Sequence, residues 1–252
     1  MSFSPRTIRP SLDVRPRSLA RRVTSWIGDA AKRTPARTAA LVFVLAAVLF
    51  TGLLTLPAAS ADGRSTALHD AMFTAVSAVT VTGLVTVDTA THWSFLGQLI
   101  ILAAIQTGGL GIVTIALLLA RAVSRRLGVK SKVFAQQSIG SSGLGEVGSL
   151  LRIVVLTTLA IEGALAAVLV PRFMIVDDTW WEGLWHGVFY AVSAFNNAGF
   201  ASNVGGLAAY GPDLWILTPI MIGVFVGSFG FPVFLTIITH GWIGLGGRCT
   251  RS

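Results

Sequence analysis

The sequence predicts an all-α membrane protein with two helix–pore loop–helix repeats, that is, four transmembrane helices and two re-entrant pore helices. Its composition is 53% hydrophobic and only 12% charged, which is typical of an integral membrane protein. Long apolar segments occur along the chain, and two short stretches between them resemble each other. An internal repeat of this kind indicates a molecule assembled from equivalent units.

Four apolar segments are long enough to cross a bilayer. A hydrocarbon core of about 30 Å requires roughly 20 apolar residues in a helix. The four charge-poor segments that meet this length are Thr38 to Ser60, Trp93 to Ala120, Ile153 to Pro171 and Leu214 to Ile238. The mean hydropathy of +0.74 agrees with this assignment. We therefore expect a multi-pass protein.

The distribution of charge predicts the orientation of these spans. Nine Lys and Arg residues precede the first span, and a second basic cluster joins the second and third spans. The opposite side holds most of the acids: Asp62, Asp70, Asp88, Asp177, Asp178, Glu182 and Asp213. The positive-inside rule places the N-terminus and the central linker in the cytoplasm. The acids would then face outside and concentrate cations there.

The net charge of +8 also raises the question of nucleic acid binding. Because the basic residues lie beside membrane spans, contact with anionic lipid explains them better, and we expect no nucleic acid partner. Cys249 is the single cysteine, and the four histidines lack metal-ligand spacing. We expect neither a disulfide within the chain nor a protein-bound metal, and no cofactor.

The repeated stretches are Phe73 to Leu84, FTAVSAVTVTGL, and Phe189 to Phe200, FYAVSAFNNAGF. A short helix is predicted before the final turn of each stretch, at residues 65–78 and at residues 182–194. Both helices are too short to span a bilayer. Each must therefore enter and turn back, and non-helical backbone at that depth requires protein or water around it. The aligned identical pairs are Phe73/Phe189, Ala75/Ala191, Val76/Val192, Ser77/Ser193, Ala78/Ala194 and Gly83/Gly199.

The ends of both stretches have the chemistry of a cation filter. A ring of backbone carbonyls can replace the hydration shell of an ion, and glycine reaches the backbone conformations that such a ring requires. Gly83 and Gly199 are the candidates. The short helices would direct their negative C-terminal ends toward the cation. Thr80, Thr82, Asn196 and Asn197 are candidates to line the path or brace the loops. Ordinary tight turns are the alternative.

Two further features lie within the spans. Gly108-Gly109-Leu110-Gly111 aligns with Gly227-Ser228-Phe229-Gly230, and such clusters permit either close helix packing or bending in a gate. Glu162 lies in the third span, where an ionised side chain is costly unless it is paired or hydrated. We interpret Glu162 as a polar brace behind the pore, with an ion-path role or simple packing as alternatives.

The chain thus divides into five parts. Residues 1–37 form a basic cytoplasmic arm, with a short amphipathic piece at residues 19–27. The first repeat covers residues 38–122, a cytoplasmic linker covers 123–150, and the second repeat covers 151–240. Residues 241–252 form an atypical cytoplasmic tail. Trp180, Trp181 and Trp185 are placed for an interfacial aromatic belt.

These motifs resemble the Trk/Ktr/HKT superfamily of potassium transporters, in particular its bacterial Ktr/Trk membrane subunit. SAVTVTGL followed by IQTGGLGI, and SAFNNAGF followed by GSFGFPVF, carry the resemblance over about residues 38–239. It implies potassium uptake across the plasma membrane, with a potassium site at the carbonyls of Gly83 and Gly199. The neighbouring filter positions it implies are Val81, Thr82, Asn197 and Ala198.

The resemblance also implies partners and leaves alternatives open. Membrane subunits of this family dimerise and couple to a cytosolic nucleotide-binding ring. In plant relatives, serine at the first filter glycine accompanies sodium preference, so Gly83 favours potassium. The family has four repeats and this chain has two, so we expect a second copy or a partner chain to complete the pore. A truncated or non-conducting subunit and a sodium-permeable relative are the alternatives.

An enzyme is the remaining class to consider. The spans contain no paired carboxylates, and the chain shows neither nucleophile–base spacing nor a phosphate-binding loop. We expect no enzymatic activity, and potassium would be the transported ion.

Overall fold

The computed structural model describes residues 35–126 and 144–229. Contacts divide the chain into a unit of residues 1–38 and a unit of residues 39–252, and the packing described below lies within the second unit. The predicted amphipathic piece at residues 19–27 and the tail at 241–252 lie outside the described residues, as does most of the cytoplasmic linker.

The described part of the chain is helical. Two short 3₁₀ helices, Pro57–Ala59 and Gly206–Tyr210, lie in the loops, and Ser60 and Trp93 form an isolated β-bridge. The α-helices are α1 Pro35–Leu54, α2 Leu68–Val79, α3 Thr89–His92, α4 Phe95–Arg126, α5 Leu144–Val176, α6 Trp180–Phe195 and α7 Leu214–Phe229. The all-α prediction is confirmed for these residues.

The four predicted apolar spans correspond to α1, α4, α5 and α7. Phe95–Ile112 in α4 and Arg152–Val176 in α5 are long and apolar enough to cross a membrane. The described apolar parts of the other two, Ala39–Leu54 and Leu214–Phe229, are shorter. Helix α5 continues through Pro171, where the predicted segment ended. Membrane helices tolerate such a proline where a neighbouring helix supports the freed backbone, and α6 packs along α5.

The two short helices lie close to their predicted positions. Helix α2 begins three residues later than predicted and ends one residue later, whereas α6 begins two residues earlier. The early start of α6 follows from Thr179, whose hydroxyl accepts a hydrogen bond from the backbone N–H of Glu182 at 3.2 Å. A threonine at this position satisfies a free donor of the first helical turn.

The first core contains residues of both repeats. Phe50 and Leu54 of α1 pack with small residues of α2 and with Ile101 and Ile105 of α4. Phe189, Ala198 and Phe200 of the second repeat belong to the same buried cluster. The second loop is therefore packed into the core of the first repeat, so residues of both repeats share this first core.

The second core joins α5, α6 and α7. The Phe173 ring stacks on Tyr190, with ring centroids 5.4 Å apart and planes 4° from parallel. It also meets the Tyr210 ring edge-on at 5.0 Å. Stacked and edge-to-face pairs are the favourable arrangements for aromatic rings. These rings attach the loop after α6 to both α5 and α6.

The three tryptophans of the predicted belt have different environments. Trp180 and Trp181 are exposed, as an interfacial position requires. Trp185 is partly buried, and its indole Nε1 donates to Gln98 Oε1 at 2.6 Å. Its ring also contacts Phe95 at 4.6 Å. Trp185 therefore connects α6 with α4 of the first repeat.

Candidate functional site

The loop after α2 leaves the helix through two backbone hydrogen bonds. The N–H of Val81 donates to the carbonyl of Ala78 at 3.1 Å, and the N–H of Thr82 donates to that of Ser77 at 2.8 Å. This pair of bonds is the Schellman motif, which ends a helix on a left-handed residue. The loop after α6 repeats it, with Asn197 bonded to Ala194 at 3.0 Å and Ala198 bonded to Ser193 at 2.7 Å.

The backbone angles repeat as well. In the first loop φ is 56° at Val81 and 76° at Gly83, and in the second it is 58° at Asn197 and 73° at Gly199. Glycine adopts such angles freely and asparagine with modest cost, but a β-branched valine is strained there. Strain that persists at equivalent places is a pointer to function.

The residue that caps each short helix binds back to it. The Thr80 hydroxyl donates to the carbonyl of Val76 at 2.8 Å and shares a hydrogen bond with the Thr82 hydroxyl at 2.7 Å. The Asn196 amide donates to the carbonyl of Val192 at 2.9 Å. These side chains differ in chemistry but occupy equivalent positions and make equivalent bonds.

The two loops touch at their glycines. A Cβ atom added to Gly83 would overlap the carbonyl oxygen of Ala198 and lie 3.0 Å from the α-carbon of Gly199. A Cβ atom added to Gly199 would lie 3.5 Å from the α-carbon of Gly83. The structure thus brings together the two glycines that the repeat had matched. Only a residue without a side chain fits at Gly83.

The other predicted loop residues divide by exposure. Thr80, Thr82 and Asn197 are exposed, whereas Val81 is partly buried and Ala198 is fully buried in the first core. The Asn197 carboxamide oxygen accepts from the Ser228 hydroxyl of α7 at 3.1 Å.

The glycines of the long helices lie against the ends of the short ones. A Cβ atom on Gly108 would overlap the carbonyl oxygen of Val79, and one on Gly227 would overlap that of Phe195. Val79 and Phe195 are the last residues of α2 and α6. The alignment of the two glycine clusters therefore corresponds to the same contact made twice, which is a packing role.

A polar cluster lies behind the second loop. Glu162 of α5 is 5% exposed and accepts two hydrogen bonds, from Asn196 Nδ2 at 2.9 Å and from Gln106 Nε2 at 3.1 Å. Gln106 Oε1 in turn accepts from Asn196 Nδ2 at 3.1 Å. The sequence had singled out Glu162 and Asn196 but not Gln106. An amide within an apolar helix was the only available signal for Gln106.

On the predicted outer side, Asp177 and Asp213 are each held by close partners. Asp177 accepts from the Tyr210 hydroxyl at 2.9 Å and lies 2.9 Å from His186 Nδ1. Asp213 accepts from Arg172 at 2.7 Å. Burial, together with the hydrogen bond to Asp177, raises the pKa of Tyr210 above its usual range. These two acids are therefore structural, and less of the acidic charge is free to attract cations than the sequence predicted.

Asp62 differs from these two. It is exposed, and its carboxylate accepts hydrogen bonds from the Ser60 hydroxyl at 2.6 Å and from the Arg64 backbone N–H at 3.0 Å. The Ser60 hydrogen bond is the main reason that the pKa of Asp62 lies below its usual value. Asp62 therefore carries its charge at neutral pH and contributes to the negative potential of its loop.

Taken together, the apolar helices and the two matching loops define an all-α membrane protein with an internal duplication. The profile of the TrkH family, described as cation transport proteins, matches residues 19–245. The chain belongs to this family. The resemblance predicted from the loop motifs is confirmed at that level.

Individual relatives agree with the family. The chain is 33% identical over 219 residues to the Ktr system potassium uptake protein B of Bacillus subtilis, covering 87% of this chain and 48% of that protein. It is 34% identical over 203 residues to the potassium/sodium uptake protein NtpJ of Enterococcus hirae, covering 80% and 44%. It is 32% identical over 204 residues to the Ktr system potassium uptake protein D of Bacillus subtilis, covering 81% and 45%. The chain spans about half the length of these relatives.

Proposed function

We propose that the chain is a pore-forming part of a potassium uptake system of the plasma membrane, with its N-terminus in the cytoplasm. A cation would be held by backbone carbonyls of the loops that contain Gly83 and Gly199. The single observation that carries this proposal is the contact between these two glycines, in loops with matching positive φ angles. Ordinary tight turns would not require two distant loops to meet at their glycines.

The backbone supplies a physical reason for a cation. In each loop a left-handed residue, a residue without positive φ and a left-handed glycine follow one another. Alternation of this kind can direct successive carbonyls to the same side, as a carbonyl-lined filter needs. The filter positions we propose are Val81, Thr82, Gly83, Asn197, Ala198 and Gly199, supported by Thr80 and Asn196. The C-terminal ends of α2 and α6 meet these loops and add partial negative charge.

Potassium is the favoured ion, and sodium is the second candidate. Relatives named for potassium uptake, and Gly83 at the first filter position, favour potassium. The relative named for potassium and sodium uptake keeps the second candidate open. Parallel measurements of rubidium and sodium uptake separate the two.

Two loops enclose only part of an ion, so we propose that further loops complete the filter. These would come from a second copy or from a partner chain, and the basic cytoplasmic segments would contact a nucleotide-binding regulatory ring. The support is physical, because a ring of carbonyls must surround the cation to replace its water. Size measurement of the purified complex in detergent, with and without candidate partners, tests this.

Rubidium uptake in bacteria that lack their own potassium uptake systems tests the proposed function. The unmodified chain should increase uptake, and Gly83→Ala should abolish it, because the new methyl group would meet the Ala198 carbonyl. Gly63→Ala is the matched control, since Gly63 has φ +70° but nothing within 4 Å of the place where its Cβ atom would lie. Equal uptake by the Gly83→Ala variant and the unmodified chain would refute the filter. No uptake by the unmodified chain, alone or with partners, would favour a non-conducting subunit.

A further inference from the structure

We propose that Gln106 and Glu162 orient the carboxamide of Asn196, and that this orientation sets the preference of the second loop for potassium over sodium. The inference rests on the proposed function and adds a specificity-determining group to it. Gln106 lies on α4 of the first repeat and Glu162 on α5 of the second, so the group connects two long helices to one loop.

The three side chains form a closed ring of hydrogen bonds. Asn196 Nδ2 donates to Glu162 Oε1 at 2.9 Å and to Gln106 Oε1 at 3.1 Å, and Gln106 Nε2 donates to Glu162 Oε2 at 3.1 Å. An amide has its donors on one atom and its acceptor on the other, so this pattern determines the orientation of both amides. Glu162 accepts one hydrogen bond at each of its two carboxyl oxygens.

The rest of the Asn196 side chain is also enclosed. Its Nδ2 atom also lies 2.9 Å from the Val192 carbonyl oxygen, so its two N–H groups are shared among three acceptors, and its Oδ1 atom occupies the space that a Cβ atom on Gly109 would need. Asn196 directly precedes Asn197, the left-handed residue of the loop. Rotation of the Asn196 side chain would therefore disturb the helix end from which the loop starts.

The first loop lacks this arrangement. Thr80, which is equivalent to Asn196, bonds to Val76 and Thr82 of its own repeat. A group that only ended a short helix would need nothing more than this local pattern. The additional bonds of Asn196 to two long helices indicate a requirement that is specific to the second loop.

The lack of a cationic partner for Glu162 in the described part of the chain is a second reason to connect this group with a cation at the second loop. The ion pairs that the structure shows among its described side chains involve Asp70, Asp177 and Asp213, and Glu162 has amide partners instead. In its ionised form Glu162 would favour a cation nearby, because charge interactions are stronger in a medium of low dielectric constant. A cation held at the second loop would supply that charge.

The test compares three variants in the full chain, with uptake measured separately for rubidium and for sodium. Glu162→Gln keeps the shape of the side chain but replaces one acceptor oxygen by an NH2 group. This donor would face the NH2 group of Gln106, which then has no acceptor. We expect the rubidium-to-sodium uptake ratio to fall about tenfold, as loss of a hydrogen bond to a charged group predicts. Gln106→Met should also lower the rubidium-to-sodium uptake ratio.

The double exchange Gln106→Glu/Glu162→Gln is the rescue variant. A carboxylate at position 106 and an amide at position 162 can make all three hydrogen bonds again, so the ratio should return to within about threefold of the original. Gln98→Met is the matched control. Gln98 is a buried amide on the same helix that accepts from Trp185, and its loss should lower stability but leave the ratio unchanged.

The outcomes separate the two proposals. Uptake with an unchanged ratio in Glu162→Gln and Gln106→Met would overturn this inference and leave the proposed function intact. An equal change in Gln98→Met, or no recovery in the double exchange, would overturn it as well. If Glu162→Gln is absent from the membrane, the ratio measured for Gln106→Met decides, because that variant also removes hydrogen bonds of the group. A chain that neither transports rubidium nor gains thermal stability from potassium in detergent would overturn both proposals.

Discussion

Val81 and Asn197 show how the same backbone conformation is made from different residues. Both are left-handed, with φ of 56° and 58°, and both stand one residue after the cap of a short helix. The strained valine is retained in the first loop, where its side chain packs against the core that contains Ala198 and Phe200. Burial of the valine side chain offsets part of the conformational cost.

This balance predicts the effect of Val81→Asn. Asparagine relieves about 1 kcal/mol of backbone strain but loses a comparable amount of partial burial, so the free energy of unfolding should change by less than about 1 kcal/mol. Val79→Asn, two residues earlier, should lower the free energy of unfolding by about 2 kcal/mol or more. Val79 is 1% exposed and lies in a right-handed helix, so a polar side chain would be buried there and no backbone strain would be relieved. Denaturation of both variants in detergent checks the difference. Equal destabilisation would show that Val81 is not strained.

At the scale of elements, each long helix of glycine-rich sequence supports the end of one short helix. Gly108 of α4 lies on the last carbonyl of α2, and Gly227 of α7 lies on the last carbonyl of α6. The same packing solution therefore recurs in both repeats, although the remaining residues of the two glycine clusters differ. Each contact positions the start of a loop.

The element contacts predict that Gly108→Ala and Gly227→Ala are destabilising by similar amounts. The added methyl group would overlap a backbone oxygen, and overpacking of this kind costs about 1–3 kcal/mol. Gly163→Ala on α5 is the control, since a Cβ atom there would have nothing within 4 Å. That change should be neutral or stabilising by up to about 1 kcal/mol, as alanine is the better helix former. Thermal unfolding in detergent, compared among the three variants, provides the measurement; a stable Gly108→Ala would contradict the packing role.

For the whole molecule, the basic arm and linker predict a cytoplasmic N-terminus and outer loops at residues 61–64 and 200–211. In a Cys249→Ser background, Ser65→Cys and Val204→Cys should react with a membrane-impermeant maleimide added to intact cells. Both positions are exposed, Val204 by 67%. Lys130→Cys in the basic linker should react only after the membrane is permeabilised. The reverse labelling pattern would invert the proposed topology.

The fold class and the matching glycines of the two loops could be predicted because their signals are local. Apolar length predicts a span, as in Trp93 to Ala120, since a helix satisfies its own backbone in lipid. Gly83 and Gly199 could be matched because the repeated stretches align without gaps and glycine is the residue suited to such turns. The ends of α2 and α6 were predicted within one residue for the same reason.

The sequence by itself therefore determined the all-α class, the duplication and the two loops, and it placed the chain in a family of cation transport proteins. Tertiary structure alone decided that the Ala198 carbonyl lies against Gly83, that Asn196 bonds to Gln106 and Glu162, and that the second loop enters the first core. The physical reason is distance along the chain. Spacing and composition describe one element at a time, whereas these contacts depend on which helices become neighbours when both repeats pack together.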